Sequence, residues 1–114
     1  MRRHILLTTT LTIIVFNSFP VLAASFDCHK ATQPIEHLIC ENKTLNNYDN
    51  RLGKIYHSIR ANLKKEQSKR LRRDQRTWIV ERNVVCHLDV VCLIDTYEER
   101  IRKLLFLQKI VVGE

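Results

Sequence analysis

From Leu45 to Leu63 the apolar positions are Leu45, Tyr48, Leu52, Ile55, Tyr56, Ile59 and Leu63, recurring at gaps of three and four apart from the adjacent Ile55 and Tyr56. That is the period of one buried face of an α-helix, with Gly53 a tolerated weak point inside it. A later helical segment carries Leu71, Trp78 and Ile79, and a last one runs through Leu93, Tyr97, Ile101, Leu104 and Leu105. Upstream, Thr32 can cap a short first helix that takes Pro34 in its first turn and ends at about Cys40. Ser25 to Ala31 reads as an extended lead-in, and Asn42-Lys43-Thr44 restarts the chain. The clearest interhelix turn is Val84 to Cys92. Between Lys64 and Ser68 the pattern fits both one continuous helix and a break. No stretch sustains the period-two alternation of a strand, and glycine and proline are scarce. The expected fold class is therefore all-α, a small helical hairpin or bundle of three to four helices.

The N-terminus has a different pattern. Met1-Arg2-Arg3-His4 is a short basic region, Ile5 to Phe16 carries no charge, and Val21-Leu22-Ala23 places small or modest residues after a break at Asn17 to Pro20. This is the layout of a secretory signal peptide, residues 1–23, cut after Ala23. The apolar run is shorter than the roughly 20 residues that span a bilayer, so no transmembrane segment is expected after cleavage. Residues 24–114 then form one small domain, placed in the periplasm or secreted.

Four cysteines, Cys28, Cys40, Cys86 and Cys92, lie in that domain. An even number in a short exported chain reads as two disulfides. Local pairing, Cys28–Cys40 and Cys86–Cys92, pins the lead-in to the first helix and clamps the turn, at about 2–3 kcal/mol each. The long-range pairing Cys28–Cys92 with Cys40–Cys86 fits the spacing as well. No Cys or His spacing matches a zinc knuckle, and no cofactor is expected.

The chain carries a formal charge of +7, and removing Arg2 and Arg3 with the leader leaves +5. At about 100° per residue, Lys65, Lys69, Arg72, Arg73 and Arg76 share one helix face, opposite Leu63, Leu71 and Trp78. The i,i+4 pairs Glu66–Arg70 and Arg70–Asp74 are expected on the same helix. The stripe suits an anionic partner such as an envelope polymer or lipid. Nucleic acid is disfavoured, because no aromatic residues interleave the charges for base stacking.

Several motifs, taken in order, resemble one family. They are Phe26-Asp27-Cys28-x-Lys30-Ala31, Glu36-x-x-Ile39-Cys40, and Leu45-x-x-Tyr48-Asp49-x-x-Leu52-x-x-x-Tyr56. Gln75-Arg76-x-Trp78-x-x-x-Arg82-x-x-x-Cys86 and Cys92-Leu93-x-x-x-Tyr97-x-x-Arg100-Ile101-x-x-Leu104 follow. The order and spacing are similar to the LprI-like family of small bacterial envelope proteins, named for a lysozyme inhibitor. The resemblance implies a compact disulfide-tied helical domain, export, and lysozyme as a protein target. It brings no catalytic residues.

Within these motifs Glu36, Asp49, Tyr56, Gln75, Trp78, Arg82, Tyr97 and Arg100 read as scaffold. Glu36, Asp49, Arg82 and Arg100 are expected to form interhelix ion pairs. Arg82, four residues after Trp78, can lie along the indole or reach a carboxylate on another helix. A glycosidase-like use of Glu36 and Asp49 lacks a substrate groove, and no nucleophile–base order or phosphate-binding loop is present, so no enzyme is expected. His57 reads as an ordinary helix residue.

Two binding functions compete. In the first, the clamped turn with His87, Leu88 and Asp89 at its tip enters a lysozyme cleft. Common animal lysozymes are strongly basic, so Asp89, Asp95, Glu98 and Glu99 must supply the complementary charge. In the second, the basic stripe holds an anionic envelope component. A role as an immunity protein against an exported toxin is a further alternative with no local signature.

Overall fold

The computed structural model describes residues 12–13, 22–23 and 26–113. The expected signal peptide lies outside the described residues apart from Thr12, Ile13, Leu22 and Ala23. Leu22–Ala23 (β1) pairs antiparallel with Phe26–Asp27 (β2), a two-residue bridge that faces Ala23 with Phe26. The expected cut after Ala23 falls at the end of β1.

The rest is helical. The expected extended lead-in is replaced after Asp27 by a single 3₁₀ turn, Cys28–Lys30, whose start is capped by the Asp27 carboxylate accepting from His29 N–H at 2.9 Å. Helix α1 spans Pro34–Glu41. Its N-cap is Gln33 and makes no side-chain cap bond, so Thr32 does not cap it. Pro34 opens the helix because a first-turn residue needs no intrahelical N–H partner. Asn42 then ends α1 and starts α2, Lys43–Ala61, with its side-chain oxygen accepting from Leu45 N–H at 3.1 Å.

The undecided stretch is a break. Asn62 to Lys64 separates α2 from α3, Lys65–Cys86. Two contacts shape this corner: Arg60 Nε donates to Ser68 Oγ at 2.9 Å, and Lys64 N–H donates to the Gln67 side chain at 3.3 Å. The turn expected over Val84 to Cys92 is much shorter than that. α3 runs on to Cys86, only His87 to Asp89 is non-helical, and α4 occupies Val90–Val112. Asp89 caps α4 by accepting from Cys92 N–H at 3.0 Å.

Side-chain partners give the bundle its directions. Tyr48 meets Glu98, Asp49 meets Tyr97 and Ser58 meets Gln108, so α2 and α4 run parallel. Arg82 meets Tyr97 while Gln75 meets Arg100, so α3 runs antiparallel to both. Leu45, Leu52 and Ile59 from α2 pack on Leu93, Tyr97, Ile101 and Leu104 from α4, joined by Ile35 and Ile39 from α1. α3 contributes Leu71 and Cys86 to this core, but Gln75 and Arg82 are its other buried positions. The inner face of α3 is therefore largely polar. No helix among the described residues is long and apolar enough to cross a membrane.

Candidate functional site

The polar face of α3 meets the other helices through a buried relay. Arg82, on the third helix, donates from Nη1 to the Tyr97 hydroxyl at 2.9 Å, and that hydroxyl donates to Asp49 Oδ1 at 2.8 Å. The Arg82 guanidinium also lies 5.3 Å from the Trp78 ring centroid and 5.6 Å from that of Tyr97, and donates to the Asn83 side chain. Trp78 meets Tyr97 edge-on at 5.5 Å, and the Arg100 guanidinium lies 5.8 Å from its ring centroid. Cation–π contact lets both guanidinium groups sit in a low-polarity layer.

These contacts revise the expected ion pairs. Arg82 takes the indole option, reaching the Asp49 carboxylate through Tyr97. Arg100 pairs instead with Asp74, at 2.7 Å, and donates from Nε to Gln75 Oε1 at 2.9 Å. Asp74 had no place in the motif reading. It is reached because antiparallel packing brings the middle of α3 against α4, and that also leaves Arg70–Asp74 unformed. Glu66 pairs with Lys69 at 3.7 Å, three residues on, rather than with Arg70. Glu36 is half-buried on α1 and forms no salt bridge among the described residues. The glycosidase-like use of Glu36 with Asp49, already disfavoured by the sequence, finds no support, since Asp49 is fully buried against Tyr97.

Burial raises the Tyr97 hydroxyl above the usual tyrosine range, and the nearby Asp49 charge adds to this. The hydrogen bond to Glu98 at 2.6 Å pushes Tyr48 in the same direction. A tyrosine held protonated in the native state binds more protons there than in the unfolded chain. Its stabilisation is full below about pH 10 and declines as pH rises above it. Unfolding free energy is accordingly expected to fall above about pH 10, by up to ~1.4 kcal/mol per pH unit from the buried Tyr97. Tyr97→Phe should flatten that decline in urea titrations of the oxidised protein between pH 8 and 11.

At the far end of α3 lies the tip. Cys86 and Cys92 are joined, as are Cys28 and Cys40, with Cα separations of 5.4 and 5.9 Å. The local pairing is thus the one formed, and it leaves no cysteine thiolate for zinc. The Cys86 sulfur, which has no hydrogen, accepts from Thr96 Oγ1 at 3.3 Å. Inside the clamp His87 has φ +50° and ψ −123°, and Asp89 N–H closes on Cys86 O at 3.0 Å. That is the second position of a type II′ turn, which strongly favours glycine. A side chain held there carries strain of about 1–3 kcal/mol. His87→Gly is expected to raise stability by about 1 kcal/mol after glycine's extra entropy is subtracted. Thermal unfolding should move up by roughly 4–8 °C.

The tip is exposed. Leu88 is 55% and Val85 is 71% accessible, and Val84 and Val91 are open too. Gln33, Pro34 and Ile35 from the start of α1 stand beside His87 and Leu88 across a shallow groove. Asp89, Asp95 and Glu99 are exposed around this end, while Glu98 is half-buried against Tyr48. On the other side of the turn, Glu81 and Glu99 flank an α3–α4 cleft of about 220 Å³.

The basic residues lie elsewhere. Lys65, Lys69, Arg72, Arg73 and Arg76 are all exposed on the first half of α3, while Leu71 is buried and Trp78 half-buried. The 22-residue helix is about 33 Å long, so Lys65 and the tip are at opposite ends of it. Tyr56 and His57 border a cleft between α2 and α3 into which Arg72 and Arg76 reach. Reading the stripe from α3 alone missed His57, because only packing brings α2 beside it.

Together these features define a small, disulfide-clamped α-helical protein with a preorganised tip. The family model described as the lysozyme inhibitor LprI matches residues 28–104, which include all four cysteines and the buried relay. The chain belongs to that family, as the spaced motifs implied. No curated protein and no solved structure matches the chain. Membership carries an inhibitor-like binding role, and the two disulfides suit an oxidising, extracytoplasmic setting.

Proposed function

We propose that this protein is an exported lysozyme inhibitor whose mature domain, residues 24–114, docks through the clamped α3–α4 turn. The observation that carries this reading is the strained, disulfide-closed tip with Leu88 exposed among Val84, Val85 and Val91. A rigid apolar projection loses little entropy on docking and can fill an enzyme cleft. His87, Leu88 and Asp89 form the inserted edge. The exposed Asp89 and Asp95 attract a basic enzyme even though the mature chain is cationic, because the positive stripe lies at the other end of α3; Glu99 contributes less, since Lys103 pairs with it at 3.1 Å.

The test is hydrolysis of a soluble neutral chitin oligosaccharide by lysozymes of several classes in the presence of the oxidised mature domain. A whole-cell-wall substrate is unsuitable, because a cationic protein can coat it and imitate inhibition. Saturable inhibition near stoichiometric dose is the expected result, and absence of inhibition of every class overturns the reading. A second role, at an anionic envelope component, is supported by the exposure of all five cations of the stripe. Its mark is steep weakening with salt.

A further inference from the structure

The cleft between α2 and α3 has walls formed by Leu52 and Tyr56 on one side and Ile79 on the other, and encloses about 190 Å³. His57, Arg72 and Arg76 stand exposed at its edge. Gln75 also lines it, although only 6% of this residue is accessible. The Gln75 carbonyl oxygen is occupied by Arg100 Nε at 2.9 Å. Its amide NH₂ has no hydrogen-bond partner among the described residues, yet it is not sealed from solvent. A buried side chain therefore offers an unused donor to a cleft that no carboxylate lines.

We infer that this cleft is a binding site for a phosphorylated sugar. The inference narrows the second role above and rests on its premise that α3 meets an anion. Two arginines one helical turn apart present planar forks suited to an oxyanion, and the Gln75 amide and His57 supply further donors. A phosphate monoester, with three terminal oxygens, can satisfy that many donors better than a two-oxygen carboxylate. Tyr56, Leu52 and Ile79 give an apolar wall for a ring attached to the phosphate. The volume is below the usual range for drug-sized ligands, about 300–1,000 Å³, so it suits one ring and one phosphate and not a long acyl chain. Lys65, Lys69 and Arg73, exposed on the same helix, raise the local concentration of anions.

The test is nitrogen-15 NMR of the oxidised mature domain titrated with glucose 1-phosphate, glucuronate and long-chain polyphosphate. Glucose 1-phosphate is expected to shift the Gln75 side-chain amide and the Arg72 and Arg76 Nε signals saturably, and glucuronate to bind more weakly. Gln75→Glu can still accept from Arg100 but replaces the donor with a negative charge. It should weaken glucose 1-phosphate about tenfold or more, while leaving polyphosphate binding within about twofold. Arg72→Gln with Arg76→Gln, both at exposed positions, provides a second variant should Gln75→Glu disturb folding, and is also expected to abolish the sugar phosphate shifts. Unchanged glucose 1-phosphate affinity in both variants overturns the inference, as does glucuronate binding equally well. Polyphosphate binding without glucose 1-phosphate binding rejects the cleft but keeps the stripe, and loss of both rejects the stripe reading as well.

Discussion

Asp49→Ala is expected to cost about 3–5 kcal/mol of folding stability, out of a total of about 5–15 for a domain of ordinary stability. Asp49 is fully buried, and Tyr97 hands the pull of its carboxylate on to Arg82, itself only 2% accessible. Removing the carboxylate leaves the Arg82 guanidinium inside the bundle without that balancing charge. Asn83 and Tyr97 still accept from it, but neither is negative. Asp49→Asn keeps an acceptor oxygen and should lose less than Asp49→Ala. Tyr97→Phe breaks both bonds of the relay at once and should cost about 1–3 kcal/mol. Urea unfolding of the three variants and of the double variant Asp49→Asn/Tyr97→Phe gives the coupling directly. A loss under 1 kcal/mol for Asp49→Ala would mean that α3 is held by its apolar contacts and not by the relay.

Leu88→Asp is expected to reduce lysozyme inhibition by about thirtyfold or more, the effect of losing ~2 kcal/mol at the centre of an interface. Leu88 is the apolar side chain of the clamped turn itself and is 55% accessible, so it has little to lose in the free protein. The variant should therefore keep its unfolding midpoint within about 0.5 kcal/mol of the parent. Asp89→Ala differs, because the Asp89 carboxylate caps α4 and its loss costs stability of about 1 kcal/mol as well as charge. Comparing the two separates contact from scaffold. Inhibition unaffected by Leu88→Asp would move the docking face away from the tip while leaving the family assignment intact.

Much of the helical pattern was legible residue by residue. Apart from the adjacent pairs Ile55–Tyr56 and Leu104–Leu105, the apolar positions of α2 and α4 keep a three- and four-residue spacing, so both helices and their inward faces are legible directly. α3 was harder because its inner face carries Leu71, Gln75, Trp78, Arg82 and Cys86, and two of these five are strongly polar. Hydropathy cannot mark such a face, and its boundary near Lys64 stayed open for that reason. Thr32 has the chemistry of a cap, but Pro34 opens the helix from Gln33 without a side-chain cap. The pattern makes the turn look too long because Val84 and Val85 resemble loop-flanking apolar residues, whereas they are exposed positions on the last turn of α3.

The candidate surfaces divide in the same way. The basic stripe and the clamped turn are local features, and helical geometry with a six-residue cysteine separation already places their residues. The α2–α3 cleft, the choice of Asp74 as the partner of Arg100, and the closeness of α1 to the tip are not local. Each depends on which helix faces lie side by side once the chain reverses at Asn62 and again at His87. Periodicity tells which side of a helix is turned inward, but it is blind to the neighbour that side will meet. That choice belongs to three-dimensional packing, where one arrangement buries the apolar stripes of α2 and α4 together and gives the polar groups of α3 their hydrogen-bond partners.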